Sequence, residues 1–162
     1  MADWIFAALG AIPNWLKLFI VSMLPLIELR GAVPLGIALS MKPWEVLLIS
    51  VIGNCLPVPF LILLTRPIFA WLKKTKLFSG LVQKVEARVS KKADKVMKDA
   101  AFGLFLFVAI PLPGTGAWTG AMIASLFNMR MKYALPSILF GVITAGVIML
   151  AGSLGISALF SL

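Results

Sequence analysis

IVSMLPLIELRGAVPLGIALSM, residues 20–41, is apolar over most of its length yet carries Glu28 and Arg30 at its centre, set among Pro25, Gly31, Pro34 and Gly36. A charged side chain at membrane depth costs at least about 2.5 kcal/mol on insertion scales, so it lines a cavity or pairs with a partner. Backbone interrupted by Pro and Gly is tolerated at that depth only under the same shelter. Charge and helix breakers within one apolar run predict a transport site, with Glu28, Arg30 and Gly31 as its first candidate residues.

The rest of the chain has the same solvent preference. Over 162 residues the mean hydropathy is +1.04, 61% of residues are hydrophobic and 13% are charged. Several apolar runs approach the roughly 20 residues that cross a bilayer. This predicts an integral membrane protein with one membrane domain over residues 1–162 and no room for a soluble catalytic domain beside the spans. Asp3 and Trp4 stand where a secretory signal would carry basic residues, and no small-residue cleavage site follows, so residues 1–14 read as an interfacial helix.

The chemical inventory is narrow: no His, a single Cys and six carboxylates, of which Asp3 and Glu45 look interfacial. A His-based triad and a zinc site are excluded, no metal or cofactor is called for, and an enzyme acting on lipid phosphates has little chemistry to draw on. Cys55 lies within an apolar run and reads as a small packed hydrophobe rather than a reactive thiol.

Ten of the fifteen Lys and Arg fall between residues 66 and 99. That bias places the segment 65–99 in the cytoplasm, and the protein in the inner cell membrane. Within it Lys84, Arg88, Lys91, Lys95 and Lys98 recur at helical spacing while Val82, Val85, Val89 and Val96 take the other side. A basic amphipathic helix on the anionic inner leaflet is expected. Nucleic-acid binding is the competing reading of such a run, and the apolar composition argues against it.

Two apolar regions flank this linker and repeat one order of features, seen when residues 24–64 are laid over 110–150. The first reads Leu24-Pro25-Leu26, a broken patch from Glu28 to Pro34, a short helix ending near Ser40, Lys42, and an apolar span from Trp44 to Leu64. The second reads Ile110-Pro111-Leu112, a broken patch from Pro113 to Gly116, a short helix ending near Phe127, Arg130 and Lys132, and a span from Tyr133 to Leu154. Small residues recur four apart in both halves (Ala32, Gly36, Ser40; Gly116, Gly120, Ala124), letting helix backbones approach closely in lipid. The arms beside each break are about ten to fourteen residues, short of the roughly twenty that span, so re-entrant hairpins are expected. The Lys and Arg placement orients the two halves oppositely. The expected fold is an all-α membrane protein of two inverted repeats, 15–64 and 100–154, with a tail at 155–162. Pro57 and Pro59 should kink the first long span.

The segments Glu28-Leu29-Arg30-Gly31-Ala32-Val33-Pro34-Leu35-Gly36 and Pro111-Leu112-Pro113-Gly114-Thr115-Gly116-Ala117-Trp118-Thr119-Gly120 resemble the two signature segments of the small multidrug export family, and the resemblance spans nearly the whole chain. That family is in turn distantly similar to the DedA membrane proteins. The resemblance implies two facing re-entrant hairpins and an undecaprenyl phosphate flippase activity. In DedA proteins the second hairpin carries an Arg near its break, whereas Thr115 and Gly116 occupy that region here. Arg130 matches the basic residue that follows the second hairpin in DedA proteins, and reads equally as an interfacial anchor.

Helix physics favours the same substrate charge. The second arm of each hairpin aims an N-terminus at the midplane, and such ends bind anions. Gly114, Thr115 and Gly116 leave backbone N–H groups uncrowded, and Thr115 and Thr119 add hydroxyls. Arg30 offers a planar fork, and Glu28 pairs with it at rest, then takes a proton when phosphate displaces it. The expected function is proton-coupled movement of an amphiphilic anion, with a polyprenyl phosphate as the leading case and a homodimer left open. The alternative is proton-coupled efflux of cationic drugs through Glu28, with Trp118 stacking on the ligand. A third reading makes the Glu28–Arg30 pair purely structural.

Overall fold

The computed structural model describes residues 12–72, 93–112 and 114–160, and every regular element among them is helical. In chain order these are α1 (Asn14–Met23), α2 (Glu28–Ala38), α3 (Pro43–Cys55), α4 (Val58–Leu72), α5 (Ala93–Ala109), α6 (Ala117–Leu126) and α7 (Met131–Phe160). The expected interfacial helix at 1–14 and the basic stripe at Lys84, Arg88 and Lys91 fall largely outside the described residues.

Two stretches are long and apolar enough to cross a membrane, Pro43–Ile68 and Met131–Ile156. The first is interrupted where the proline pair predicts. Leu56 and Pro57 form a turn between α3 and α4, because Pro57 has no N–H to continue the hydrogen-bond ladder. The chain also divides there into two compact units. One comprises Met1–Leu56 with Val142–Leu162, the other Pro57–Gly141.

In the first unit α1, α2 and α3 pack on one another. Close approach depends on glycines. A Cβ on Gly36 would stand 2.7 Å from both methyls of Val46, and one on Gly53 would stand 2.0 Å from Ser22 Oγ and 2.8 Å from the Phe19 carbonyl. α3 is apolar outside and polar inside. Trp44, Leu48, Ile52 and Leu56 form an exposed i, i+4 stripe, while Val46, Ser50, Gly53 and Asn54 are buried. Large exposed hydrophobics over a polar interior are the reverse of a soluble domain, and suit a helix whose outer face meets lipid. Leu26, 97% exposed at the tip between α1 and α2, belongs to the same pattern.

In the second unit α6 packs on α4 and α5. α5 runs without a break from Ala93 into the apolar arm, so this arm is continuous with the end of the basic segment rather than starting at residue 100. Gly120 and Gly141 bring α6 and α7 against Val108 of α5.

The repeat seen in the sequence has a local structural counterpart. After α2, Ser40 takes φ +56°, its N–H donates to the Ile37 carbonyl at 2.9 Å, and the Met41 N–H donates to the Gly36 carbonyl at 3.2 Å. After α6, Asn128 takes φ +51°, its N–H donates to the Ser125 carbonyl at 3.0 Å, and the Met129 N–H donates to the Ala124 carbonyl at 2.8 Å. Both are Schellman endings, with a left-handed residue satisfying the last carbonyls. A long apolar helix begins three residues after each left-handed residue, at Pro43 and Met131.

Candidate functional site

The candidates fall in both units. In the first, α1 and α2 are joined by a turn in which the Ile27 and Glu28 N–H groups both donate to the Leu24 carbonyl, at 3.3 and 2.9 Å. Glu28 opens α2 with φ +51°, a left-handed conformation that is uncommon outside Gly, Asn and Asp. This geometry has a consequence. Residues two apart on a regular helix face different directions, yet Arg30 Nη1 donates to Glu28 Oε2 at 2.8 Å. The left-handed turn at Glu28 swings its carboxylate back to the guanidinium. Glu28 is 5% exposed, so the ion pair the sequence suggested is both formed and largely buried.

Gly31 and Pro34 shape the same end of α2. A Cβ on Gly31 would stand 2.3 Å from Ile27 Cγ2, so only glycine lets the turn fold down on the helix. Pro34, inside α2, removes the amide that would otherwise bond the Arg30 carbonyl. Local order here is thus set by two breakers, Gly31 and Pro34, beside one charged pair.

Three further buried polar residues share this unit: Ser22, Ser50 and Asn54. Ser22 donates to the Phe19 carbonyl at 2.7 Å. Ser50 Oγ and Asn54 Oδ1 have no hydrogen-bond partner. One turn apart on the inner face of α3, they were missed in the sequence reading, where the available signal was a polar pair at i, i+4 inside an apolar run. An apolar cleft of about 550 Å³ also lies in this unit, lined by Pro34, Ile37 and Ala38 of α2 and by Ile148, Met149 and Gly152 of α7. It begins about 9 Å along α2 from Glu28, by the 1.5 Å rise per residue.

In the second unit, Gly114 adopts φ +82°, which its lack of a Cβ permits, and extended Gly116 is the N-cap of α6 without a side-chain cap. Thr115 and Thr119 are used differently from the expectation that their hydroxyls face a ligand. Thr115 Oγ1 lies 2.7 Å from the Ile110 carbonyl and 2.9 Å from the Leu112 carbonyl as donor, and accepts from the Leu112 N–H at 3.3 Å, so it ties the loop together. Thr119 Oγ1 donates to the Gly116 carbonyl at 3.3 Å. Trp118 is half-buried in the first turn of α6. Arg130 has an exposed side chain, and its carbonyl accepts from the Tyr133 and Ala134 N–H groups to start α7.

Arg66, which the sequence reading counted only among the linker cations, is instead built into this unit. Its guanidinium donates to the Met129 carbonyl just past the end of α6. Beside it Thr65 Oγ1 and Ser125 Oγ are 2.7 Å apart. A cation at a helix C-terminus meets the negative end of the dipole, so Arg66 fastens α4 to α6.

Among the described residues no cluster of three or more His, Cys, Asp or Glu is placed to hold a metal. No curated protein and no solved structure matches the chain. Residues 28–148, from the Glu28–Arg30 turn to the middle of α7, match the family model described as "Putative small multi-drug export protein", and the chain belongs to that family.

Proposed function

We propose that this export-family membrane protein moves an amphiphilic anion between leaflets, with a polyprenyl phosphate as the leading substrate and proton uptake by Glu28 as the coupling step. The observation that carries the reading is the buried Glu28–Arg30 pair at 2.8 Å beside an apolar cleft on the same helix. A buried ion pair is weak evidence for stability, since desolvation offsets most of its attraction, so a pair held by a left-handed backbone points to a use. Arg30 supplies the fork for phosphate oxygens, the cleft from Pro34 onward accepts the tail, and Glu28, released from Arg30, takes up a proton. The short helices α1, α2 and α6, of 10, 11 and 10 residues, fit a re-entrant placement, since ten residues cover about 15 Å of a hydrocarbon core about 30 Å thick. The basic residues Lys84, Arg88, Lys91, Lys95 and Lys98 would dock on anionic cytoplasmic lipid.

The family description favours a second reading, drug export, in which Glu28 alternates between proton and a cationic drug. Arg30 opposes it, because a guanidinium 2.8 Å from the carboxylate repels a cation. Binding to the purified protein in detergent separates the two. We expect decyl phosphate to bind, Arg30→Ala to abolish that binding, and tetraphenylphosphonium to bind weakly or not at all. Tight tetraphenylphosphonium binding lost in Glu28→Gln would establish the drug reading instead.

A further inference from the structure

Ser50 and Asn54 are buried polar side chains that each hold an atom without a hydrogen-bond partner. Ser50 is fully buried and Asn54 is 2% exposed, yet Ser50 Oγ and Asn54 Oδ1 have no hydrogen-bond partner. Buried polar atoms are almost always paired, and an orphan of this kind needs a water, an ion or a ligand. Ser50 departs from the habit of its neighbours. Thr65, Ser125, Ser137 and Ser153 all donate to the carbonyl four residues back, whereas Ser50 leaves that bond unmade.

Helix register places these two side chains at the charged end of α2. Gly36 of α2 abuts Val46 of α3, and the short link at residues 39–42 makes the two helices antiparallel neighbours. Eight residues back from Gly36 is Glu28, and eight residues on from Val46 is Asn54. Each step is about 12 Å along its helix, so Asn54 comes level with Glu28, and Ser50 with Ala32. Gly53, next to Asn54, abuts Ser22 and Phe19 of α1, so this end of α3 faces the core of the unit.

We propose that Asn54 and Ser50 complete the headgroup site with Glu28 and Arg30, and that the Asn54 carbonyl oxygen selects a phosphate monoester over a phosphodiester or a sulfate. This rests on the phosphate reading above. Arg30, the Ser50 hydroxyl and the Asn54 amide N–H groups are donors, and any of the three anions can accept from them. The Asn54 carbonyl oxygen can only accept. A phosphate monoester, with a second pKa of about 6, offers a P–OH to it while singly ionised, which is about half of the monoester at about pH 6, whereas a diester and a sulfate offer none at that pH and leave it desolvated and unpaired. The selection has a purpose in this setting: the bilayer is itself a sea of phosphodiester headgroups, and attraction to negative charge alone would not reject them.

The test is competition for the purified protein in detergent, with decyl phosphate, dioctyl phosphate and decyl sulfate displacing radiolabelled decyl phosphate. One lost hydrogen bond to a desolvated acceptor corresponds to about 5- to 100-fold in affinity. At about pH 6, where about half of the monoester carries a P–OH, wild type should prefer the monoester by that factor, and the preference should fall as the pH rises above about 7. Asn54→Leu should lose the preference, and Ser50→Ala should weaken all three anions alike by about 5-fold. Unchanged selectivity in Asn54→Leu overturns the inference and leaves the phosphate reading standing, whereas failure of wild type to bind any of the anions overturns both. Because Asn54→Leu alters a packed helix, S50C in a Cys55→Ala background supplies a second measurement. Its thiol should react with sulfonatoethyl methanethiosulfonate and be protected by decyl phosphate, and an inert thiol in the folded protein would show dry packing and overturn the inference.

Discussion

Replacing Arg30 by Met keeps most of the side-chain volume and removes only the cation 2.8 Å from Glu28. Glu28 is 5% exposed, so water does not take over the role of the guanidinium. Breaking one side of a buried pair costs about 3–5 kcal/mol, against about 0–1 kcal/mol for an exposed one. The left-handed backbone at Glu28 carries about 1–3 kcal/mol of strain that can relax once the pair is gone, so the lower half of the first range is expected. Glu28→Gln keeps a neutral acceptor for Arg30 and should cost less, and the double variant Glu28→Gln, Arg30→Met should recover much of the loss. Unfolding in mixed micelles by increasing dodecyl sulfate, monitored by tryptophan fluorescence, gives the cycle. The Lys42–Glu45 pair, 3.9 Å apart and well exposed at Lys42, is the internal control, and Lys42→Ala should change stability by less than about 1 kcal/mol. If Arg30→Met lies within about 1 kcal/mol of wild type, the pair does not organise this turn and the argument from it collapses.

Gly53→Ala should destabilise the first unit by about 1–3 kcal/mol, because the new methyl would meet the Phe19 carbonyl as well as Ser22 Oγ, and backbone yields less than a side chain. The same unfolding assay should find Gly103→Ala neutral or stabilising, since nothing lies within 4 Å of that position and helical Gly is about 0.5–1 kcal/mol worse than Ala. Thr115→Val deletes the hydroxyl that joins the Ile110 and Leu112 backbone, and should raise amide hydrogen exchange at residues 110–116 while leaving α7 unchanged. Equal exchange in wild type and variant would mean that the loop holds itself without Thr115.

The helical class and the positions of the two long apolar spans were legible because hydropathy and length suffice to recognise them. The C-terminal ends of both short helices were legible to within two residues, but the start of the first was not: the stretch from Glu28 to Pro34, expected as a broken patch, is helical in α2, which accommodates Gly31 and Pro34. The break at Pro57 was legible because proline has no N–H to continue the ladder. The Glu28–Arg30 pair was readable from charge alone, but not its mechanism, which depends on one backbone dihedral that the identity of Glu does not signal. The position of Thr115 and Thr119 beside a helix start suggests ligand donors, but the carbonyls at hand are the nearer partners. Arg66 was hidden in a crowd of cations, and only the end of α6 distinguishes it from them. Ser50 and Asn54 were hidden among apolar neighbours, and burial rather than identity brings them into view.

The central claim is that the Glu28–Arg30 turn handles a lipid phosphate, and the most direct measurement is reconstitution into liposomes with transbilayer movement of a fluorescent polyprenyl phosphate followed under an imposed pH gradient. Wild type should flip the lipid in response to the gradient, Arg30→Ala should lose flipping, and Glu28→Gln should flip without following pH. No flipping by folded wild type, or flipping untouched by Arg30→Ala, would contradict that claim.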